Sequence, residues 1–538
     1  MLLAASLERA VTHGAELLIA AGAVLAFAWG LLQRRIGLLR WPLLVVAVGT
    51  LGAGTALGAW AWHEKRNRNV VGSATTEFVP TEKPKRRPRK ELTEEPWPMY
   101  GYDVERTRSA PFKLRPPFAG LWSIKARGSL EPPAVIAYGR LFFSNGKGVV
   151  VAVDARRGRI KWRRHFPNCI AGSAAVARGT VYVPLMHRRP CEKNAPGARG
   201  MIVALDAKTG RTKWRFRAGA IESAPLLVGH VLYFGSWDHR VYALNVSKKR
   251  HRMLWSHEVD EKVVAAPAYA NGTIYVGTNG GRVYALNART GRERWRAQSF
   301  SRFGRREYFY AAPAVAYGRV FLGNTDGTVY AYGATTGHLL WARQAGTYVY
   351  SAPAVWRNMV FVGTWDGYFS AIDARTGNFR WRFHAPSGIM GAPSVLDGLV
   401  YFSTYGRFSQ RHLRRVVSGP RATFALNART GDPVWRFPDG HYSPVVADSR
   451  RIYIAGRGRL YALVTEARAR KLRRWQALLR CDRIRRAKKR ARCLSKAKRG
   501  TSSGRHGSRK AARTSKSKIR LRPTTGSRPA SGSTAAKP

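Results

Sequence analysis

Acidic residues are scarce in this 538-residue chain: 30 Asp+Glu stand against 94 Lys+Arg, a formal net charge of +64. A balance so far from zero argues against an electrostatically neutral surface and favours anionic partners, whether chromosomes, phospholipid headgroups or wall polymers. Cysteine is scarce too. Cys169, Cys191, Cys481 and Cys493 are too few for a disulfide-dense scaffold, and none of their spacings gives the close C-x-x-C pairs of zinc sites. Aromatics are plentiful, with 17 Trp, 22 Tyr and 21 Phe in a composition that is 45% hydrophobic. That excludes global disorder.

Charge is absent from two stretches near the N-terminus, at about residues 17–33 and 41–62. The second is long enough to span a bilayer core of about 30 Å and the first sits at the short limit. Arg34, Arg35 and Arg40 lie between them, and an excess of cations in a short loop marks the cytoplasmic side. Everything after Trp62 is therefore expected to be exported. Lys65, Arg66 and Arg68 pull the other way, but long domains translocate largely regardless of charge. The alternative, that the first run is a cleaved or spurious segment, leaves the side unchanged. Residues 63–96 are Pro-rich and charged, without apolar periodicity, and read as a linker.

Self-similarity governs residues 97–464. One unit reads APAVAYGRVFLGNTDGTVYAYGATTGHLLW and the next APAVWRNMVFVGTWDGYFSAIDARTGNFRW. Equivalent tryptophans stand at Trp122, Trp162, Trp214, Trp255, Trp295, Trp341, Trp381 and Trp435, and a period near 40 is the length of a four-stranded propeller blade. Turns such as Thr325-Asp326-Gly327 and Asp366-Gly367 separate alternating apolar runs, as hairpins require. Eight three-strand portions begin near Ala134, Ala174, Pro225, Pro267, Pro313, Pro353, Pro393 and Pro444. The last has no following Trp strand, whereas Trp122 precedes any complete unit. Joining these ends predicts an all-β, eight-bladed β-propeller closed by N- and C-terminal strands, with no long open sheet edge.

The pattern A-x-D-x-x-T-G-x-x-x-W resembles the tryptophan-docking repeat of the PQQ-binding-like eight-bladed propellers. It is kept at Asp206, Thr209, Gly210 and Trp214 and at Asp373, Thr376, Gly377 and Trp381. Asn replaces Asp at Asn287 and Asn427; Asp154, Gly158 and Trp162 lack only the Thr; the unit ending at Trp255 has lost T-G. The opening WPMYGYDVERTRSA also resembles the segment before the first blade of these proteins. That superfamily includes the quinoprotein alcohol dehydrogenases and the propeller lipoprotein of outer-membrane assembly. The tryptophans are read as inter-blade packing rather than cofactor stacking.

The resemblance to the dehydrogenases implies PQQ in the funnel, with calcium, a Trp platform, a catalytic Asp and an adjacent-Cys disulfide. No adjacent Cys pair exists here, and carboxylates for a hard cation are few. Channel candidates are Glu222, Tyr310, Tyr350 and Tyr442, beside Met390 and Val264, all just before inner strands; a mere channel plug is the alternative. Basic insertions after Leu185 and Tyr405 offer a binding rim. Export would let Cys169 and Cys191 pair, contributing roughly 3 kcal/mol; two unpaired thiols is the other reading. Cys481 and Cys493 can pair only if the intervening helix breaks.

Residues 465–499 are expected to form a basic helix, and 500–538 a disordered basic tail. No assembled acid, base, metal set or nucleophile is visible, so no catalytic residue is assigned and no cofactor is expected. The expected function is a membrane-anchored, exported scaffold or assembly factor binding envelope proteins. The alternatives are a PQQ- and calcium-dependent dehydrogenase, and a binder of anionic lipid, wall polymer or, less aptly, nucleic acid through residues 465–538.

Overall fold

The computed structural model describes residues 2–482 apart from 33–39, 66–68, 74, 81–88, 127, 192–196, 248–250, 303–304, 407, 411–414, 418 and 443, together with 489 and 491–495. The expected tail at 500–538 lies outside the described residues. Two compact units divide the chain, Met1–Thr465 and Glu466–Pro538.

Helix α1 spans Leu2–Leu32 and α2 spans Arg40–Lys65. They meet through small residues: a Cβ on Gly22 would come 2.9 Å from the backbone N of Leu51, and one on Gly54 would come 2.9 Å from that of Ile19. Such close backbone approach is how apolar helices pack when both are short of large contacts. Two spanning segments were expected; among the described residues α2 has an apolar stretch of spanning length, Leu44–Trp62, and that of α1, His13–Phe27, is shorter.

The segment read as an unstructured linker is partly built into the fold. Helix α3 covers Arg89–Glu94, and Val70 bridges to Ala342 on a later strand. Arg319 explains the difference: its guanidinium donates to the carbonyls of Ser73 (3.1 Å) and Thr76 (2.6 Å), partners that no local periodicity announces.

From Phe118 to Thr465 the chain forms eight antiparallel blades around one axis. Blade 1 consists of Val135–Ala137, Arg140–Asn145, Val149–Asp154 and Ile160–His165, and blades 2–7 repeat the order. Blade 8 takes Val446–Ala447, Ile452–Ala455 and Arg459–Thr465 from the C-terminal side and Phe118–Lys125 from before blade 1. Trp122 stands opposite Ala462, so the ring closes by the expected splice of its two ends.

One register recurs in all eight blades. The docking tryptophan of each outer strand faces an alanine of the third strand, as Trp341 faces Ala331 and Trp381 faces Ala371, and the ladder slips by one residue just beside it. Alanine leaves room for the indole and the bulge turns the ring towards the next blade. Six indole N–H groups donate to a carbonyl of that blade's Asp/Asn/Ala turn, as from Trp341 to Ala374 and from Trp162 to Ala207, at 3.0 and 3.1 Å. Trp214 packs instead against His251, tilted by 39° with 4.6 Å between ring centres, in the blade whose turn lacks T-G.

The second unit contains helix α4, Glu466–Asp482, followed by helical residues 491–495. Glu466 and Arg470 pair at 3.5 Å along α4. Cys493 is disulfide-bonded, whereas the side chain of Cys481 lies outside the described residues.

Candidate functional site

Eight inner strands converge on the propeller axis, and small side chains line one level of it. Ala224, Ala266, Ala311, Ala312, Ala352 and Ala392 form a buried cluster there, with Tyr100 packed against it. The inner strands also leave backbone N–H groups pointing at the axis, and buried amides need acceptors.

Residues 97–108 supply those acceptors as a strap. Trp97 exchanges two hydrogen bonds with Ile136 of blade 1, and Val176 of blade 2 donates to Pro98 at 2.7 Å. Tyr269, Val315, Val355 and Val395, on blades 4 to 7, donate in turn to Val104, Glu105, Thr107 and Arg108. Ser109–Ala110 then pairs as a parallel fifth strand on blade 7. One part of the axis is thus filled by the chain itself.

Two buried arginines extend from the strap. Arg106 is 0% exposed and donates to Pro267 (2.9 Å), Ala224 and Pro225 (both 3.3 Å), and also to Tyr100. Burial, aided by the charge of Arg108, pushes Arg106 down to about 9, so it stays charged at neutral pH. Arg108 donates to Pro353 at 2.8 Å and lies 4.8 Å above the Tyr100 ring.

Further along the same inner strands the four channel candidates come together. The Tyr310 hydroxyl donates to Glu222, and its ring lies 5.1 Å from that of Tyr350. Tyr442 neighbours Tyr350 and both carboxylates, Glu131 and Glu222, and burial pushes its phenol well above the ordinary range. Burial also raises Glu222, outweighing the Tyr310 hydroxyl that favours its charged form. Met390 and Val264 are buried, at 8% and 7% exposure.

Sequence reasoning missed the rest of this wall. Trp365 lies 5.4 Å from Tyr350, His441 stacks on Tyr405 at 4.8 Å, and the Ser129 hydroxyl meets His441 Nε2 at 3.0 Å. A signal did exist for Trp365 and for Trp237, which stands beside Glu222: both follow the G-S/T of a second-strand turn, GSWDH and GTWDG, where neighbouring units carry the polar Asn279 and Thr325. His441 and Ser129 had none, being brought together across the closing blade.

Cys169 and Cys191 are joined by a disulfide, 22 residues apart in sequence. It pins the first basic insertion beside the strand at Thr180–Leu185. The second insertion carries a small hairpin, Phe408–Gln410 with Arg415–Val417.

The family model described as outer membrane protein assembly factor BamB (PQQ_2) matches residues 119–248, 192–307, 245–351 and 325–473. The chain belongs to this propeller family. No curated protein matches it significantly. Among solved structures, it resembles the quinohemoprotein alcohol dehydrogenase from Comamonas testosteroni at 14% identity and TM-score 0.55, over 68% of this chain and 80% of that one. It resembles a europium-containing methanol dehydrogenase at 14% identity and TM-score 0.56, over 70% and 99%. BamB from Moraxella catarrhalis matches at 16% and TM-score 0.50, over 64% and 99%. Identities this low carry the fold alone, and PQQ_2 relatives include both enzymes and assembly factors.

The dehydrogenase branch raises the question of a calcium-held quinone. A hard dication needs several charged oxygen ligands. Glu222 is a poor one, because burial favours its neutral form and Tyr310 already occupies it. The cysteine that precedes blade 2's inner strand is bonded to a distant partner rather than an adjacent one. The residues present do not fit that group.

Proposed function

We propose that this PQQ_2 propeller is a membrane-anchored scaffold or assembly factor of the cell envelope, exported and presenting its faces to envelope proteins. The observation that carries the reading is the built-in linker. Val70 and Ala342 exchange backbone hydrogen bonds at 2.9 and 3.0 Å, Gly72 donates to Thr376 at 3.0 Å, and Arg319 clamps Ser73 and Thr76. A propeller fastened this way to the segment after an apolar helix is held in one attitude, which suits presentation of a surface. Export is supported by the cationic loop between the hydrophobic runs and by a disulfide, which persists in oxidising compartments.

Crosslinking in intact cells, followed by identification of attached species, tests the reading. Defined envelope proteins are expected; abundant polymer or nucleic acid without them would defeat it. Impermeant thiol labelling of Cys169 and Cys191 after reduction should succeed before lysis, and labelling only after lysis would place the propeller inside. Dye-linked alcohol oxidation after loading with PQQ and calcium would establish the enzyme instead.

A further inference from the structure

A groove of about 730 Å³ lies between blades 2 and 3, where the outer strand of one meets the Trp237 turn of the next. Arg199 and Arg217 form one wall. In the register of blade 2, Arg217 faces Met201 and Gly219 faces Arg199, so the two arginines are diagonal neighbours on one face of the sheet. Gly219, opposite Arg199, lets the Trp237 turn pack closely on blade 2: a Cβ there would come 2.8 Å from both Asp238 Cβ and Ser236 Oγ. Lys262 forms the other wall, its ammonium 5.0 Å above the Trp237 ring.

The acids nearby are already engaged. Asp238 Oδ2 accepts from the Gly219 N–H and the Tyr242 hydroxyl, both at 2.8 Å. Glu261 Oε1 accepts from the Lys262 backbone N–H at 2.9 Å and faces His239 Nε2 at 3.3 Å. Asp260 pairs with Arg282 at 3.5 Å. Arg199 and Arg217 form no ion pair or hydrogen bond through their side chains among the described residues. Three cations, Arg199, Arg217 and Lys262, therefore line a groove whose one lining carboxylate, Asp238, is already engaged by Gly219 and Tyr242.

We propose that this groove binds a phosphomonoester, with its phosphate held by Arg199, Arg217 and Lys262. A monoester carries close to two negative charges at neutral pH and three strong acceptors, whereas a carboxylate offers one charge. Guanidinium forks match phosphate oxygens in pairs. The volume lies within the range of small-ligand sites and is far more than a bare anion fills, leaving room for an organic body against Trp237.

Equilibrium dialysis of the full chain against glycerol 3-phosphate and against glycerate, which shares its three-carbon body, tests the proposal. Saturable binding of glycerol 3-phosphate in preference to glycerate is expected, weakening below about pH 6 as the phosphate gains a proton. Arg199→Ala and Arg217→Ala should each weaken it roughly tenfold or more. Arg163→Ala combined with Arg294→Ala removes charge from the outer strands of blades 1 and 4 and should leave binding unchanged. Phosphatidic acid vesicles separate the sources of the phosphate: Arg217-dependent retention on them supports the groove with a lipid headgroup as ligand, and binding confined to the soluble ester supports it with a free one. Equal binding of glycerate, an equal loss in the control pair, or no saturable binding of glycerol 3-phosphate would overturn the proposal. None of these outcomes depends on whether the chain is a scaffold.

Discussion

Gly377 lies flat against the indole of Trp341: a Cβ on it would meet Trp341 Cδ2 at 2.8 Å, and its backbone sits at φ 75°. The same relation joins Gly158 to Trp122, Gly210 to Trp162, Gly291 to Trp255, Gly337 to Trp295 and Gly431 to Trp381. Each of these turn glycines is thus required twice, for a left-handed turn and for the ring of the preceding blade. Gly377→Ala should cost about 2–4 kcal/mol, from the left-handed penalty plus overpacking. Gly139 provides the control, because it has φ 69° but nothing within 4 Å of its Cβ position. Gly139→Ala should cost only about 1 kcal/mol. Urea unfolding of both variants measures the difference, and equal losses would mean that the indole contact contributes nothing.

His441 should make the propeller acid-sensitive. It is 4% exposed, and burial, reinforced by the charge of Arg421, pushes its imidazole down to about 4. The unfolded chain takes up this proton near 6.5 while the folded chain resists it until about 4. Stability should therefore fall as pH drops through that window, by up to about 3 kcal/mol from this group. His441→Gln should flatten this part of the pH profile of thermal unfolding. An unchanged slope would assign the acid sensitivity to other groups, such as Asp206, which its Thr209 and Lys208 N–H donors hold below the ordinary range against the opposing effect of burial.

The fold was legible because its constraints are local. A tryptophan, a glycine at positive φ and an Asx turn recur at fixed offsets, as where Asp373 Oδ1 accepts from the N–H groups of Arg375 and Thr376. Trp122 could be assigned to the last blade because a lone outer strand has no other sheet to join. The axis was legible only as a row of residues before inner strands. What the sequence could not display is the strap: its bonds run from backbone carbonyls, which every residue has, and Arg106 and Arg108 look like surface charge until eight strands converge on them. His251 under Trp214 was equally hidden, since it replaces a turn motif rather than repeating one.

The Cys169–Cys191 bridge should hold the first insertion in place. Cys169 is buried and Cys191 exposed, so a reductant can reach the pair from one side. Cys191→Ser should lower stability by up to about 3 kcal/mol on the chain-entropy account and expose residues 187–191 to protease. Gel analysis of limited digests, with and without reductant, reports this directly. A cleavage pattern unchanged by reduction would mean that the bonds of Cys169 N–H to His187 (3.0 Å) and Met186 N–H to Cys169 (2.9 Å) suffice.

Arg319 ties the N-terminal segment to the ring, and its loss should separate the two. It is 0% exposed, donates to Ser73 and Thr76 on one side and to Ala374 (2.9 Å) on the other, and its guanidinium lies 5.1 Å from the centre of the Phe78 ring. Arg319→Ala would remove the donor from the Ser73 and Thr76 carbonyls, at about 1–3 kcal/mol for each that water cannot reach, whereas Ala374 keeps the Trp341 indole N–H. The blade itself should survive, because Val320 and Phe321 keep their places in the ladder and the Trp295 and Trp341 contacts are untouched. The expected outcome is therefore local: residues 69–80 become cleavable while the melting temperature of the propeller falls only modestly. If the segment stays protected, its backbone pairing with Ala342 and Thr376 is sufficient and Arg319 serves the blade alone. If the whole propeller unfolds instead, the segment is part of its cooperative core, and its place on the ring is fixed by folding rather than by a detachable clamp.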